Sequence, residues 1–342
     1  MPDTNEIIIN LTALVSSAGL AGWLTVPFSI WLAGRVGAID LPGKNKVHHR
    51  PVPRLGGVGI LLACGLTVAS YLAVTNAPAR DDRNLVVVAW LLCGIMIIGF
   101  WDDIRGLRQW IKLIGEGLIT LSLIFLFEVE SGWTALAVWF WMLALINGYN
   151  FLDGLDGLAA GVAFVHLLAL TALHLISGSG ILAMVSSTLA MAILGFLRYN
   201  WPPAKIFMGD IGSLSLGFII SALSLLLVID ENFSVNAMLA VMLAASLPLG
   251  DVSLTVIRRL VNNQPLFPSD RGHFYDQMVN RGKMSKERAV WVSTLVATVV
   301  GTLGVMSLTL PRAGALALTV LGAALLIGLA WYFKISLVWE TS

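Results

Sequence analysis

Long apolar runs recur along this chain, separated by short polar segments. The runs lie near residues 7–33, 55–75, 85–101, 112–127, 133–149, 157–177, 180–197, 212–229, 237–256, 289–309 and 313–333. A helix needs roughly 20 apolar residues to cross a bilayer core. The pattern predicts an all-α, polytopic integral membrane helix bundle of about eleven transmembrane helices, or about ten if one adjacent pair merges. Pro27 is expected to kink the first helix, which neighbours in a bundle tolerate. The even spread of the runs predicts one transmembrane domain over residues 1–342. The first run has no basic segment ahead of it and no small-residue cleavage site, so it reads as a retained helix.

Composition strengthens this reading. The chain is 57% hydrophobic and only 12% charged, whereas a soluble domain carries about 25% charged residues. A soluble fold would need far more polar surface. Cys64 and Cys93 both fall inside apolar runs, which argues against a disulfide framework.

Charge sets the orientation. With the N-terminus outside and the C-terminus inside, 18 of the 21 Lys and Arg residues fall in inner segments. Only Arg80, Arg83 and Arg312 are left outside. The positive-inside rule therefore favours N-out, C-in. The polar segments near 34–54, 102–112, 150–157, 198–211 and 257–288 then share the cytoplasmic side.

Those inner segments carry the chemistry. Asp102 and Asp103 end the third run, Asp153 and Asp156 follow the fifth, Asp210 precedes the eighth, and Asp251 lies near the inner end of the ninth. Ionisable groups at membrane depth are costly and point to function. Several carboxylates brought together would repel unless a cation joined them. Mg²⁺, which takes one or two carboxylates plus substrate phosphates, is the natural partner, with Mn²⁺ as the alternative. Any one acid could also be a solvated helix end.

Asn147, Asn150, Asp153 and Asp156 recur every third residue, so neighbouring members share a helix face. Such a stripe suits a hydrated metal–diphosphate, or a polar packing seam. Met208 through Ser213 open the eighth run with Gly and Ser, which leave backbone N–H groups free for an anion. Phe207 could stack on a base or anchor an interface. Lys44, Lys46, His48, His49, Arg50 and Arg54 could bind phosphates or serve only as a topology signal. His273 lies between Arg271 and Asp276 in the last inner loop, whereas His166 and His174 read as structural.

With these motifs in place, the chain resembles the polyprenyl-phosphate N-acetylhexosamine-1-phosphate transferases. These are the WecA- and TagO-like enzymes and, more distantly, the MraY translocase. The resemblance covers about residues 35–290. The family's aspartate pair matches Asp102 and Asp103, and its N-x-x-N-x-x-D-G-x-D-G-L segment matches from Asn147. Its F-N-x-x-P-A-K-I-F-M-G-D-x-G-S segment looks like Tyr199 through Ser213. The first loop departs from the family's D-x-P-N-x-R-K-x-H: Asp40, Pro42, Lys46 and His48 agree, while Gly43 and Asn45 do not. Of the family's H-x-H-H only His273 remains, with Tyr275 and Asp276 at the later positions.

The resemblance implies that Asp210, with Asp103 beside it, binds Mg²⁺, and that Asp102, Asp103 and Asp153 are catalytic. It implies that Asn200, Phe207 and Asp156 hold the nucleotide, and that Asn147 and Asn150 lie around the diphosphate. Lys112 matches a basic position after the aspartate pair, Lys46 and His48 belong to the substrate-binding first loop, and Arg271 and His273 fit the WecA-like side. The implied reaction moves N-acetylhexosamine-1-phosphate, with GlcNAc favoured, from a UDP-sugar to undecaprenyl or another polyprenyl phosphate. UMP is released and cell-envelope glycan synthesis begins. The expected location is a bacterial cytoplasmic membrane; a homodimer is compatible and no nucleic acid is involved. The alternatives are a phospho-MurNAc-pentapeptide transferase or, in other classes, a transporter or a lipid-binding scaffold. A transporter would place polar residues at the middle of its spans, but here they cluster at inner ends.

Overall fold

A computed structural model describes residues 4–42, 50–75, 83–129, 132–265 and 272–337. Helices dominate these residues, as expected where lipid offers the backbone no hydrogen bonds. The first part of the chain comprises α1 (Thr4–Val36), a small hairpin of β1 (Ile39–Asp40) and β2 (Val52–Pro53), α2 (Gly56–Thr75), α3 (Arg83–Arg105), α4 (Gln109–Leu126) and α5 (Gly132–Leu152). Then follow α6 (Leu158–Ile176), α7 (Gly180–Asn200), α8 (Asp210–Asp230), α9 (Val235–Ala244) and α10 (Ser246–Val261). The short α11 (Phe274–Asn280), α12 (Lys286–Thr309) and α13 (Arg312–Tyr332) complete the bundle.

Among the described residues, 8 helices are long and apolar enough to cross a membrane, or 9 if α9 and α10 count as one bent span. The 33-residue α1 and the shorter apolar α2 stand beside them. The chain is thus a polytopic membrane bundle. The span expected near 237–256 is present as a bent pair: the chain breaks at Ala245 and α10 leaves α9 at 73°. Pro248 has no N–H to donate, and its ring would crowd the carbonyl four residues earlier. Pro27, by contrast, lies inside α1 without ending it.

The axis of the bundle is α8, buried along its whole membrane-length window. Its Gly212, Ser213, Ser215 and Gly217 present little bulk, which lets neighbouring helices approach closely. α3 presents Ile95, Gly99 and Asp103 as one buried stripe. A Cβ on Gly99 would lie 2.5 Å from Ile211 Cα, so only glycine admits this contact. α5, α2 and α6 also pack on α8, and α1 lies outside against α7 and α2. The outermost surface is apolar: Trp133 and Trp331 are each 83% exposed and Phe125 80%. Such a surface belongs against lipid.

The two ends of the bundle differ. At one end Ser177 and Ser179 donate to Glu231 and Asp230, each at 2.6 Å. The other end gathers Arg54, Asp102, Asp153, Asn200 and Asp210, the segments that the charge pattern assigns to the inner side.

Candidate active site

The β1–β2 hairpin delivers the first site residue. Ile39 pairs with Pro53 and Asp40 with Val52, and the Arg54 N–H donates to the Ala38 carbonyl at 3.0 Å. The chain after α7 then runs against this hairpin. Phe207 N–H donates to Pro53 O at 2.8 Å, and Phe207 and Met208 carbonyls accept from Gly56 and Gly57 at 2.9 and 2.8 Å. This seam ends at Gly209, whose φ of +74° suits glycine. A Cβ there would collide with the Arg54 carbonyl and the Asp103 carboxylate.

Asp103 caps the next helix. A helix start leaves backbone N–H groups without partners. Asp103 Oδ1 accepts the Asp210 N–H and Oδ2 the Ile211 N–H, each at 3.0 Å. Arg54 Nη2 stands 3.6 Å from Asp103 and Nη1 3.8 Å from Asp40. Burial opposes the Arg54 cation. The carboxylates of Asp103, Asp210, Asp40 and Asp153 outweigh that effect and raise its pKa above the ordinary value.

Beside this cap, Lys112 joins three helices. Its Nζ lies 2.5 Å from Asp210 Oδ2 and 3.2 Å from Asp102 Oδ2. Asp102 Oδ1 accepts the Leu107 N–H at 2.5 Å, which holds the turn between α3 and α4 in place.

The end of α5 closes the site. Asn150 donates to Ser213 Oγ on α8 at 3.0 Å, and Asp153 lies within the field of Asp210, Asp103 and Arg54. Desolvation in its half-buried setting, then the charges of Asp210 and Asp103, push the Asp153 carboxyl well above the usual carboxylate range. Asn147, deeper in α5, donates to Glu116 Oε2 of α4 at 2.8 Å.

Other expected residues serve as braces. Asp156 accepts the Ala204 N–H at 3.0 Å. Buried Asn200 accepts from Gly157 N–H at 3.0 Å and donates to Ile206 O at 2.9 Å, so its amide ties the α5–α6 turn to the segment before α8. His273 lies further along, with Nδ1 2.8 Å from Asp251 Oδ2. Its ring stacks on Tyr275 at 5.5 Å and tilts against Phe151 at 5.0 Å. Lys46, His48 and Arg271 lie outside the described residues. His166 is buried in α6 and pairs with the Tyr149 hydroxyl at 2.9 Å, and His174 is buried in the same helix.

Sequence reasoning names Arg54 and Asp251 as candidates but gives neither a partner, and it misses one participant altogether. Glu116 belongs to no motif; its one signal is an acid inside an apolar run, four residues after Lys112.

The side chains suit a hard cation. The acids offer oxygen only, and the Asp102 and Asp210 carboxylates already converge on a positive charge, the Lys112 ammonium. Among the described residues no three His, Cys, Asp or Glu side chains form a ready cage.

Comparison with known proteins adds an independent line. The glycosyl transferase family 4 model matches residues 85–228, which include Asp102, the Asn147 stripe and Asp210. A probable undecaprenyl-phosphate N-acetylglucosaminyl 1-phosphate transferase of Bacillus subtilis is 32% identical over 86% of this chain and 84% of its own length. A decaprenyl-phosphate N-acetylglucosaminephosphotransferase of Mycolicibacterium smegmatis is 32% identical over 83% of this chain and 77% of its own. A phospho-N-acetylmuramoyl-pentapeptide-transferase of Lactiplantibacillus plantarum is 28% identical over 75% of this chain and 85% of its own. By these matches and the shared motifs, the chain belongs to glycosyl transferase family 4.

Proposed function

We propose that the protein transfers N-acetylglucosamine-1-phosphate from UDP-N-acetylglucosamine to undecaprenyl or another polyprenyl phosphate, at the cytoplasmic face of a bacterial membrane. The observation that carries the reading is the Lys112 node. One ammonium from α4 bridges Asp102 of α3 and Asp210 of α8, beside the asparagine stripe of α5. The Bacillus subtilis and Mycolicibacterium smegmatis relatives, with their printed names, support the sugar and the lipid.

An oxygen of the lipid phosphate attacks the β-phosphorus of the nucleotide sugar. A P–O bond forms to the lipid phosphate, the P–O bond to UMP breaks, and UMP leaves with that electron pair. Such a reaction needs positioning and charge neutralisation more than covalent chemistry. Asp102 takes the proton of the incoming lipid phosphate at Oδ2, the oxygen that faces Lys112. Lys112 and Arg54 lay positive charge along the diphosphate. Asp103 acts behind them, holding the start of α8 and so the Asp210 side chain. Mg²⁺ or Mn²⁺, held by Asp210, would neutralise the charge that develops on the diphosphate oxygens. Asp153, at the end of the stripe, shapes the site from the α5 side. A membrane fold suits the acceptor, whose phosphate sits at headgroup level while its isoprenoid tail stays in lipid.

The test is UMP release by the purified protein in detergent, with undecaprenyl phosphate, Mg²⁺ and one UDP-sugar at a time. Release that needs lipid and cation, and that Asp210→Asn abolishes, is expected with UDP-N-acetylglucosamine. Release with UDP-MurNAc-pentapeptide alone would move the protein toward the Lactiplantibacillus relative's named activity. No release with any donor, from folded protein, would reject the transferase reading and leave a transporter or scaffold.

A further inference from the structure

Glu116 is a buried carboxyl inside α4 to which the reaction above assigns no role. It is 1% exposed and lies one helical turn after Lys112, so both side chains share a helix face. The charged groups that face it are Lys112, Asp210 and Asp102. Its Oε2 accepts from Asn147 Nδ2 at 2.8 Å, and the same Nδ2 donates to the Leu143 carbonyl at 3.0 Å.

These two bonds use up the donors of the amide. An asparagine carries two N–H groups, both on Nδ2, and one carbonyl oxygen. The reverse orientation would aim Oδ1 at the Leu143 carbonyl, an acceptor against an acceptor. Among the described residues no group donates to Asn147 Oδ1, and the residue is only partly buried.

We infer that Glu116 is a positioning residue that locks the Asn147 amide, so that Asn147 serves the site through its oxygen, as an acceptor. The inference rests on the transferase reading and changes one part of it. Phosphate oxygens are themselves acceptors, so a locked Asn147 does not bind the diphosphate directly. It works on the positive side of the site, toward N–H and O–H donors or a cation.

A swap of the two partners tests this in the full-length protein. Asn147→Asp keeps an outward oxygen but sets a carboxylate against Glu116; turnover should fall about tenfold or more. Glu116→Gln keeps an acceptor for Asn147 and should retain most of the wild-type rate. In the double variant E116Q/N147D the new amide donates to the new carboxylate, and most of the lost turnover per folded molecule should return. A double variant no better than Asn147→Asp overturns the inference, because it would mean that Asn147 works through its N–H groups. Glu116→Ala at the wild-type rate, with wild-type KM values for both substrates, overturns it as well. Should folded wild-type protein turn nothing over, the transferase reading fails by itself. The lock is then read from melting temperatures, low in Asn147→Asp and restored in the double variant, or refuted if they are not.

Discussion

The Asp103 carboxylate accepts the backbone N–H of Asp210 at 3.0 Å, although the two residues stand 107 positions apart in sequence. One acid of the aspartate pair therefore builds the platform on which the acid at the start of α8 is mounted. Its neighbour Asp102 turns instead to Lys112. The pair, adjacent in sequence, divides its contacts: Asp103 caps α8, and Asp102 faces the Lys112 ammonium that the proposed reaction uses.

Asp103→Ala leaves two N–H groups of α8 and the Arg54 guanidinium without their carboxylate. Unmaking buried hydrogen bonds of this kind costs about 1–3 kcal/mol each. The expected outcome is a melting temperature several degrees below wild type in detergent. Asp102→Ala, which leaves the α8 cap intact, should melt closer to wild type. Equal melting of the two variants would contradict the division.

Lys112 holds two carboxylates at once, at 2.5 and 3.2 Å. Lys112→Met removes the ammonium that bridges them and should lower turnover about 100-fold or more. Lys112→Arg should rescue poorly, because a planar guanidinium does not replace a compact ammonium. Steady-state UMP release measures both, and a near-wild-type rate in Lys112→Met would remove the node from the mechanism.

Asn200 spends both ends of its amide on backbone groups. Asn200→Asp keeps the acceptor for Gly157 but turns a carboxylate toward the Ile206 carbonyl. Asp and Ala at this position should therefore both destabilise, by about 1–3 kcal/mol. Activity per folded molecule should fall less than the folded fraction does. Full stability with a raised KM for the nucleotide sugar would favour direct nucleotide contact instead.

Removal of divalent cations by a chelator should stop turnover, and Mg²⁺ should restore it. Asp210→Asn should need far more Mg²⁺ for half-activation or show no activation. Undiminished turnover in excess chelator would refute the proposed cation site.

The legible part of this protein was the part written in local pattern. Apolar runs foretold most helices, and the three-residue spacing from Asn147 marked a face of α5 that does turn toward α4 and α8. What escaped depends on which helix ends meet. Nothing next to Asp103 in sequence says that α8 will begin against its carboxylate. Glu116 acquires meaning only when Asn147 arrives from another helix. The break at Ala245 was foreshadowed by Pro248, but a run of apolar residues on both sides hid it. Arg54 differs from other inner arginines only because the β1–β2 hairpin turns it toward Asp103.

The most direct measurement follows the phosphorus. The protein is incubated with undecaprenyl phosphate, Mg²⁺ and UDP-N-acetylglucosamine labelled at the β-phosphate, and lipid and aqueous fractions are separated. The account predicts label in the lipid fraction as a diphosphate-linked sugar, with unlabelled UMP in the water in equal amount. Label that stays in the water as UDP, with sugar alone on the lipid, would contradict it.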